Sequence, residues 1–278
     1  MGETGKKSTP EVNPPERKKN MTQNERLDAL IAYLLKEDPD YDALRVPGTV
    51  AEKKEFLRSL MNVRNPSPVT EEFLKVQDAY LKEEMKSRGI VELSALQPAA
   101  AGIYIRKGDI TQLAADAVVD AADKELLGCF TPCHDCVDNA VHSAAGVQLR
   151  LECALIAGQK GGEVSVAQPE ITHGWNLPCK YVIHVVGPVV YGFASEKERE
   201  MLALSYRSSL DLALKNDLHS IAFPCISVGQ NGFAPEEAAP IAVRTVRDWQ
   251  GEHPDTMKVV FDVYNASDEE LYKELLTK

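Results

Sequence analysis

An α/β protein of three layers, built on a mostly parallel central sheet and preceded by a helical extension, is the fold that this sequence predicts. Three observations carry it. From about residue 97 onward, short β-rich runs alternate with helical segments, the order that produces a parallel sheet covered by helices. Before that point, apolar residues recur at helical spacing. The composition, 44% hydrophobic and 26% charged over 278 residues, is that of an ordinary globular protein and excludes a mostly disordered or collagen-like chain.

Residues 1–20 carry Pro10, Pro14 and Pro15 among mixed charges, with Met1 and Val12 as their only apolar residues. Nothing there offsets chain entropy, so a disordered tail is expected. Residues 21–96 read as the helical extension. Leu27, Leu30, Ile31, Leu34 and Leu35 share one helix face, Thr22 and Glu25 have capping-box spacing before it, and Pro39 follows. Thr49 and Glu52 repeat the capping box ahead of Phe56, Leu57, Leu60 and Met61. A third helix follows Pro68, with Phe73, Val76, Tyr80 and Leu81 on one side and Gly89 as its stop. These stripes are expected to be core packing. Residues 97–278 form the α/β domain. Strands are expected at 103–105, 117–119, 164–166, 181–186, 221–226 and 259–264, and helices at 139–157, 197–215, 236–249 and 268–276.

Charge and cysteine usage narrow the function. With 31 Lys and Arg against 42 Asp and Glu, the formal charge is −11, which argues against tracking nucleic-acid phosphates with clustered basic side chains. A single nucleotide is still allowed, because backbone N–H groups hold phosphates without basic side chains. No apolar run approaches the roughly 18 to 20 residues that span a bilayer, so no membrane association is expected. The basic residues near the start have no apolar run behind them, which is not a secretory signal, and a cytoplasmic location is expected. The cysteines are too sparse for a disulfide scaffold, yet Cys129, Cys133 and Cys136 crowd beside His134. That pattern reads as a metal site or a reactive thiol.

Three segments at expected strand ends carry chemistry, and ligands on such sheets bind there. In Gly108-Asp109-Ile110-Thr111, the acidic side chain suits an exocyclic amine such as an adenine offers; as a motif it is also an ordinary turn. In Ser227-Val228-Gly229-Gln230-Asn231-Gly232-Phe233, a strand runs into a glycine-rich loop and Pro235 then opens a helix. Inward-turned N–H groups beside a positive helix end make a phosphate cradle. Phe233 is equally suited to stacking on a ligand or to the core. Cys129, His134 and Cys136 offer thiolate and imidazole donors on one loop, a set that suits tetrahedral zinc. Cys136 precedes a helix, whose N-terminal field favours a thiolate. Spacing leaves open whether the metal is structural, with four protein ligands, or catalytic, with three. His184 falls inside a strand and reads as a core or site-floor residue, and His142 stands alone.

Taken together, these motifs resemble the macrodomain family, an ADP-ribose-binding α/β fold. Ile103-Tyr104-Ile105 through Thr111, then Asp116-Ala117-Val118-Val119-Asp120-Ala121-Ala122-Asp123, is similar to its opening. Leu126-Leu127-Gly128-Cys129-Phe130, Pro132, His134, Cys136, Asp138-Asn139-Ala140 and His142 resemble its zinc-containing subclass, as do Leu60-Met61-Asn62-Val63-Arg64 and Glu71-Glu72-Phe73-Leu74 in the extension. The resemblance covers roughly residues 22–278.

It implies a zinc-dependent hydrolase that removes mono-ADP-ribose from acidic side chains of modified proteins and releases ADP-ribose. For some members the modified partner is a lipoylated glycine-cleavage H-like protein. The resemblance also assigns roles. Asp109 and Ile110 would hold the adenine, and Cys129, His134 and Cys136 the Zn2+. Val137 and Asp138 would face the ligand through their backbone, Ser227 to Phe233 would cradle the pyrophosphate, and position 123 would face the distal ribose. The chain departs from the family pattern at three places. Asp120 and Asp123 stand where asparagines are usual, Val228 where threonine is usual, and Cys133 is an extra thiol. A carboxylate at Asp123 beside zinc is what a water attack uses as general base. Asp120 is expected to bond backbone N–H groups at its strand end. The alternative is a non-catalytic ADP-ribose reader in which Asp120 and Asp123 replace the usual asparagines.

Overall fold

The computed structural model describes residues 21–277, so the tail expected at 1–20 lies outside the described residues. Three helices open the chain: α1 (Gln23–Leu35), α2 (Val50–Val63) and α3 (Glu71–Arg88). Both expected capping boxes form. Thr22 Oγ1 accepts from the Glu25 N–H while the Glu25 carboxylate takes the Thr22 N–H, and Thr49 and Glu52 do the same. Leu27, Leu30, Ile31, Leu57, Leu60, Phe73 and Tyr80 bury their faces together, and Val147 from the following domain joins them.

Short strands β1 (Val91–Glu92) and β4 (Leu113–Ala114) pair with each other. The main sheet holds β2 (Pro98–Ala100), β3 (Ile103–Lys107), β5 (Ala117–Ala121), β6 (Glu170–His173), β7 (Tyr181–Val185), β8 (Ser220–Phe223) and β9 (Lys258–Val263). Their order is β2-β3-β9-β8-β5-β7-β6, parallel from β3 through β7 and antiparallel at both edges. Helices α4 (Val137–Ala145) and α5 (Val147–Gln159) cover one face; α6 (Glu196–Lys215), α7 (Pro235–Glu252) and α8 (Ala266–Thr277) cover the other. Alternation along the strands explains the two cores. Ala117, Val119, Ile183, Val185, Ile221, Phe223 and Val259 point to the α6–α8 side, and Val118, Val182, Ala222 and Val260 to the α4–α5 side. The expected three-layer α/β fold is therefore observed.

Three local expectations are corrected. Residues 164–166 are not a strand. Gln168 N–H turns back to the Ser165 carbonyl and Ala167 has φ +60°, so the chain bends before the true edge strand β6 begins. The single helix expected at 139–157 is two, parted at Gly146 with φ +96°, where a Cβ would lie 2.6 Å from Gln77 Nε2. The strand expected at 221–226 stops at Phe223, since Pro224 has no N–H for the ladder.

Candidate active site

The glycine-rich loop leaves β8 through residues 224–226 and turns on three positive φ angles, at Ser227 (+64°), Gly229 (+87°) and Gly232 (+78°). The turn closes through Gly232 N–H to the Gly229 carbonyl and Phe233 N–H to the Ser227 carbonyl. Among the described residues, the N–H groups of Gln230 and Asn231 have no hydrogen-bond partner, which suits an anion cradle. Gly232 is constrained from outside as well, because a Cβ there would lie 2.3 Å from the Val190 carbonyl oxygen. The Val190 N–H donates to the Asn231 carbonyl at 2.7 Å, so the loop after β7 braces the cradle. Phe233 is 2% exposed and packs into the core, and its N–H is engaged within the turn. Val228 also packs against that core.

Across the strand ends lies the Cys/His loop. Ligand atoms of Cys129, His134 and Cys136 lie within 4.8 Å of one another, and Cys129 Sγ is 3.5 Å from His134 Nδ1. On its other side, His134 Nε2 is 2.9 Å from Gln230 Nε2, so the cradle and the Cys/His cluster meet. Cys136 is the N-cap of α4 and its Sγ accepts from the Asn139 N–H. Those of Val137 and Asp138 are left without intrahelical partners, facing out of the helix end. At the helix start the Asn139 N–H favours the Cys136 thiolate but is outweighed. Burial, together with the neighbouring Cys129, pushes its thiol up to about 12. Crowded thiols of this kind are what a divalent cation reverses, since metal binding deprotonates them. The donor set therefore fits zinc: two sulfurs and one imidazole nitrogen on one loop. Cys133 is not part of the cluster. Its Sγ lies 3.3 Å from the Glu55 carbonyl oxygen and 3.2 Å from Ser59 Oγ, both on α2.

Asp109 caps the turn Ile110–Gln112 by accepting from the Thr111 N–H and hydroxyl at 2.9 and 2.7 Å, and its other oxygen is 3.0 Å from Arg88 Nη1. Ile110 is buried beside it. Asp123 is exposed in the turn after β5, where its carbonyl accepts from the Leu126 N–H.

Asp120 does not bond backbone N–H groups as expected. Its side chain is fully buried, with Oδ2 3.0 Å from His184 Nδ1 and the Asp138 carboxyl alongside. His142 Nε2 is 3.4 Å from Asp138 Oδ1, and His184 continues to Thr172 Oγ1 at 2.9 Å. Burial holds both Asp120 and Asp138 above the usual carboxylate range; the charge of Asp120 raises Asp138 further, while the hydrogen bond from Asp138 pulls Asp120 part of the way back. Burial also keeps His142 neutral, well below its ordinary value. Sequence spacing gave no sign of this network, because its members come from β5, α4, β6 and β7. Nor did it reveal Arg58 on α2, whose guanidinium bonds Asn139 Oδ1 and the His134 carbonyl.

A family model described as Macro domain matches residues 119–242. A curated protein-ADP-ribose hydrolase from Treponema medium is 46% identical over 261 residues, covering 92% of this chain and all of that protein. One from Staphylococcus aureus (strain MSSA476) is 43% identical over 255 residues, covering 91% of this chain and 96% of that protein. Among solved structures, the Trypanosoma brucei macrodomain in complex with ADP-ribose superposes with a TM-score of 0.62 at 27% identity, covering 78% of this chain and 94% of that one. With such identity along nearly the whole length of those relatives, on a five-stranded parallel core whose strand ends carry the cradle and the Cys/His loop, the chain belongs to the macrodomain family.

Proposed function

We propose that this protein hydrolyses the ester joining mono-ADP-ribose to an acidic side chain of a modified protein, with zinc as its cofactor. The observation that carries the reading is the 2.9 Å contact between Gln230 of the cradle and His134 of the Cys/His loop. It supports a reading in which the pyrophosphate site and the metal-donor set share one mouth, as a substrate with phosphates at one end and a ribose at the other requires. The likeness to proteins named protein-ADP-ribose hydrolase over nearly the whole chain supports the hydrolase reading.

In this reading residues 21–96 are a supporting extension, and 97–278 bind and turn over the substrate in the cytoplasm. Asp109 accepts from the adenine amine while Ile110 packs beside the ring. The N–H groups of Val137 and Asp138 and the loop 227–233, through the N–H groups of Gln230 and Asn231, hold the pyrophosphate. Cys129, His134 and Cys136 hold zinc, which supplies Lewis-acid polarisation of ribose oxygens when bound. Asp123 takes a proton from the attacking water. The hydroxide equivalent adds to the ADP-ribose side of the ester, and the protein carboxylate leaves. General-base help of this kind is typically worth about 10²–10⁴ in rate. The modified partner is a mono-ADP-ribosylated protein, with a lipoylated glycine-cleavage H-like protein as one candidate.

The replacement of two usual asparagines by Asp120 and Asp123 favours a second reading, an ADP-ribose reader without turnover. Single-turnover release of ADP-ribose from an aspartate- or glutamate-modified protein separates the two. The parent is expected to release it and Asp123→Asn to release it more slowly while binding ADP-ribose more tightly. A parent that releases nothing, with release gained only in the Asp120→Asn/Asp123→Asn double variant, would establish the reader.

A further inference from the structure

We infer that Arg58, on the N-terminal extension, is a positioning residue for the metal-donor loop, so that α2 is a working part of the metal site. The inference rests on the zinc assignment above and concerns how the chain holds those donors. The loop from Cys129 to Cys136 has little regular structure of its own, and its shape is imposed from two sides. From inside, Asn139 Nδ2 reaches the Thr131 carbonyl at 3.0 Å and the Cys129 carbonyl at 3.5 Å. From outside, α2 holds the same stretch. Arg58 Nη2 donates to the His134 carbonyl at 3.1 Å, and Asn62 Oδ1 accepts from the Cys133 N–H at 3.0 Å.

Arg58 also joins the two sides. Its Nε and Nη2 fork onto Asn139 Oδ1 at 3.0 and 2.6 Å, the atom that orients the Asn139 amide toward the loop carbonyls. A planar guanidinium fixes both acceptors at once, which a lysine ammonium on a flexible stem does not. One side chain thereby sets the carbonyl of the imidazole donor and, through Asn139, that of the first thiol donor. Residues one step removed from a metal typically change its affinity by about 10–100-fold when removed, because they fix the direction of the ligands.

The test measures zinc affinity of the full chain by competition with a chromophoric chelator, and the sulfur-to-cobalt charge-transfer spectrum after cobalt(II) substitution. Arg58→Ala is expected to weaken zinc binding by about 10–100-fold and to broaden or shift the cobalt bands. Arg58→Lys is expected to restore part of the affinity. Lys53→Ala, on the same helix but paired with Asp28, is expected to match the parent. If Arg58→Ala gives no folded protein, Arg58→Gln, which keeps a single donor nitrogen and loses the fork, is expected to show the same weakening. A folded Arg58 variant with the parent's affinity and cobalt spectrum would overturn the inference and leave the zinc assignment standing. A parent that takes up neither zinc nor cobalt would overturn both.

Discussion

At position 120 a carboxyl group occupies a fully buried strand end, against a second carboxyl and two imidazoles. Burial raises Asp120 from 3.8 to about 7, so the folded protein holds a proton there that the unfolded chain releases near pH 4. Between those values the native state binds more protons, and stability falls as pH rises. Asp120→Asn removes the ionisation and supplies an N–H donor to Asp138. The variant should melt above the parent at pH 8, and the gap should close as pH falls from 7 toward 4. Melting curves across that range check it, and a pH-independent difference would rule it out. Cys133 makes the opposite case. With its Sγ turned to α2, Cys133→Ser should leave zinc content unchanged by elemental analysis, whereas Cys136→Ser should lower both zinc content and stability.

Between the helical extension and the α/β layers, the contact is made by polar groups that had to find partners. Arg150 on α5 is 5% exposed, and its Nη1 donates to the carbonyls of Met61, Asn62 and Arg64 at the end of α2. Gln77 on α3 takes the Val147 N–H and donates to Gln148. Arg150→Met leaves those carbonyls buried without a donor, at about 1–3 kcal/mol for an unsatisfied group. A loss of about 3 kcal/mol should lower the melting temperature by roughly 10 °C. Such contacts explain what the sequence disclosed and what it hid. Helix faces, capping boxes and the Cys129–His134–Cys136 cluster are local, so spacing exposes them. The Asp120–His184 bond spans 64 residues and the Arg58–Asn139 bond 81, and no periodicity marks either. The break at Gly146 was hidden for another reason. The apolar pattern runs on through both helices, and the space for a Cβ at Gly146 is closed by Gln77, distant in sequence, and by Gln148.

Across the whole molecule, three cores share borders. Val147 of α5 packs with the extension, and Met85 of α3 packs under the sheet with Val118 and Val182. Domains joined by buried apolar and hydrogen-bonded contacts of this kind should unfold together. Far-UV dichroism, which includes α1–α3, and fluorescence of Trp249, buried on α7 in the domain core, should therefore report one coincident urea transition. ADP-ribose gives the sharper form of the test. Its proposed contacts lie only in the α/β domain, and a ligand that binds only the native state at 100 times its Kd stabilises by about 2.7 kcal/mol. If the molecule is one cooperative unit, both probes should move to higher urea by the same amount. If the extension unfolds on its own, the fluorescence transition should shift while an earlier loss of helix stays in place. Asp109→Ala should remove most of the shift in both probes, since it removes the proposed acceptor for adenine, worth about 1.5–3 kcal/mol. An unchanged shift in that variant would remove Asp109 from the ligand site, and no shift in the parent at millimolar ADP-ribose would count against both the hydrolase and the reader.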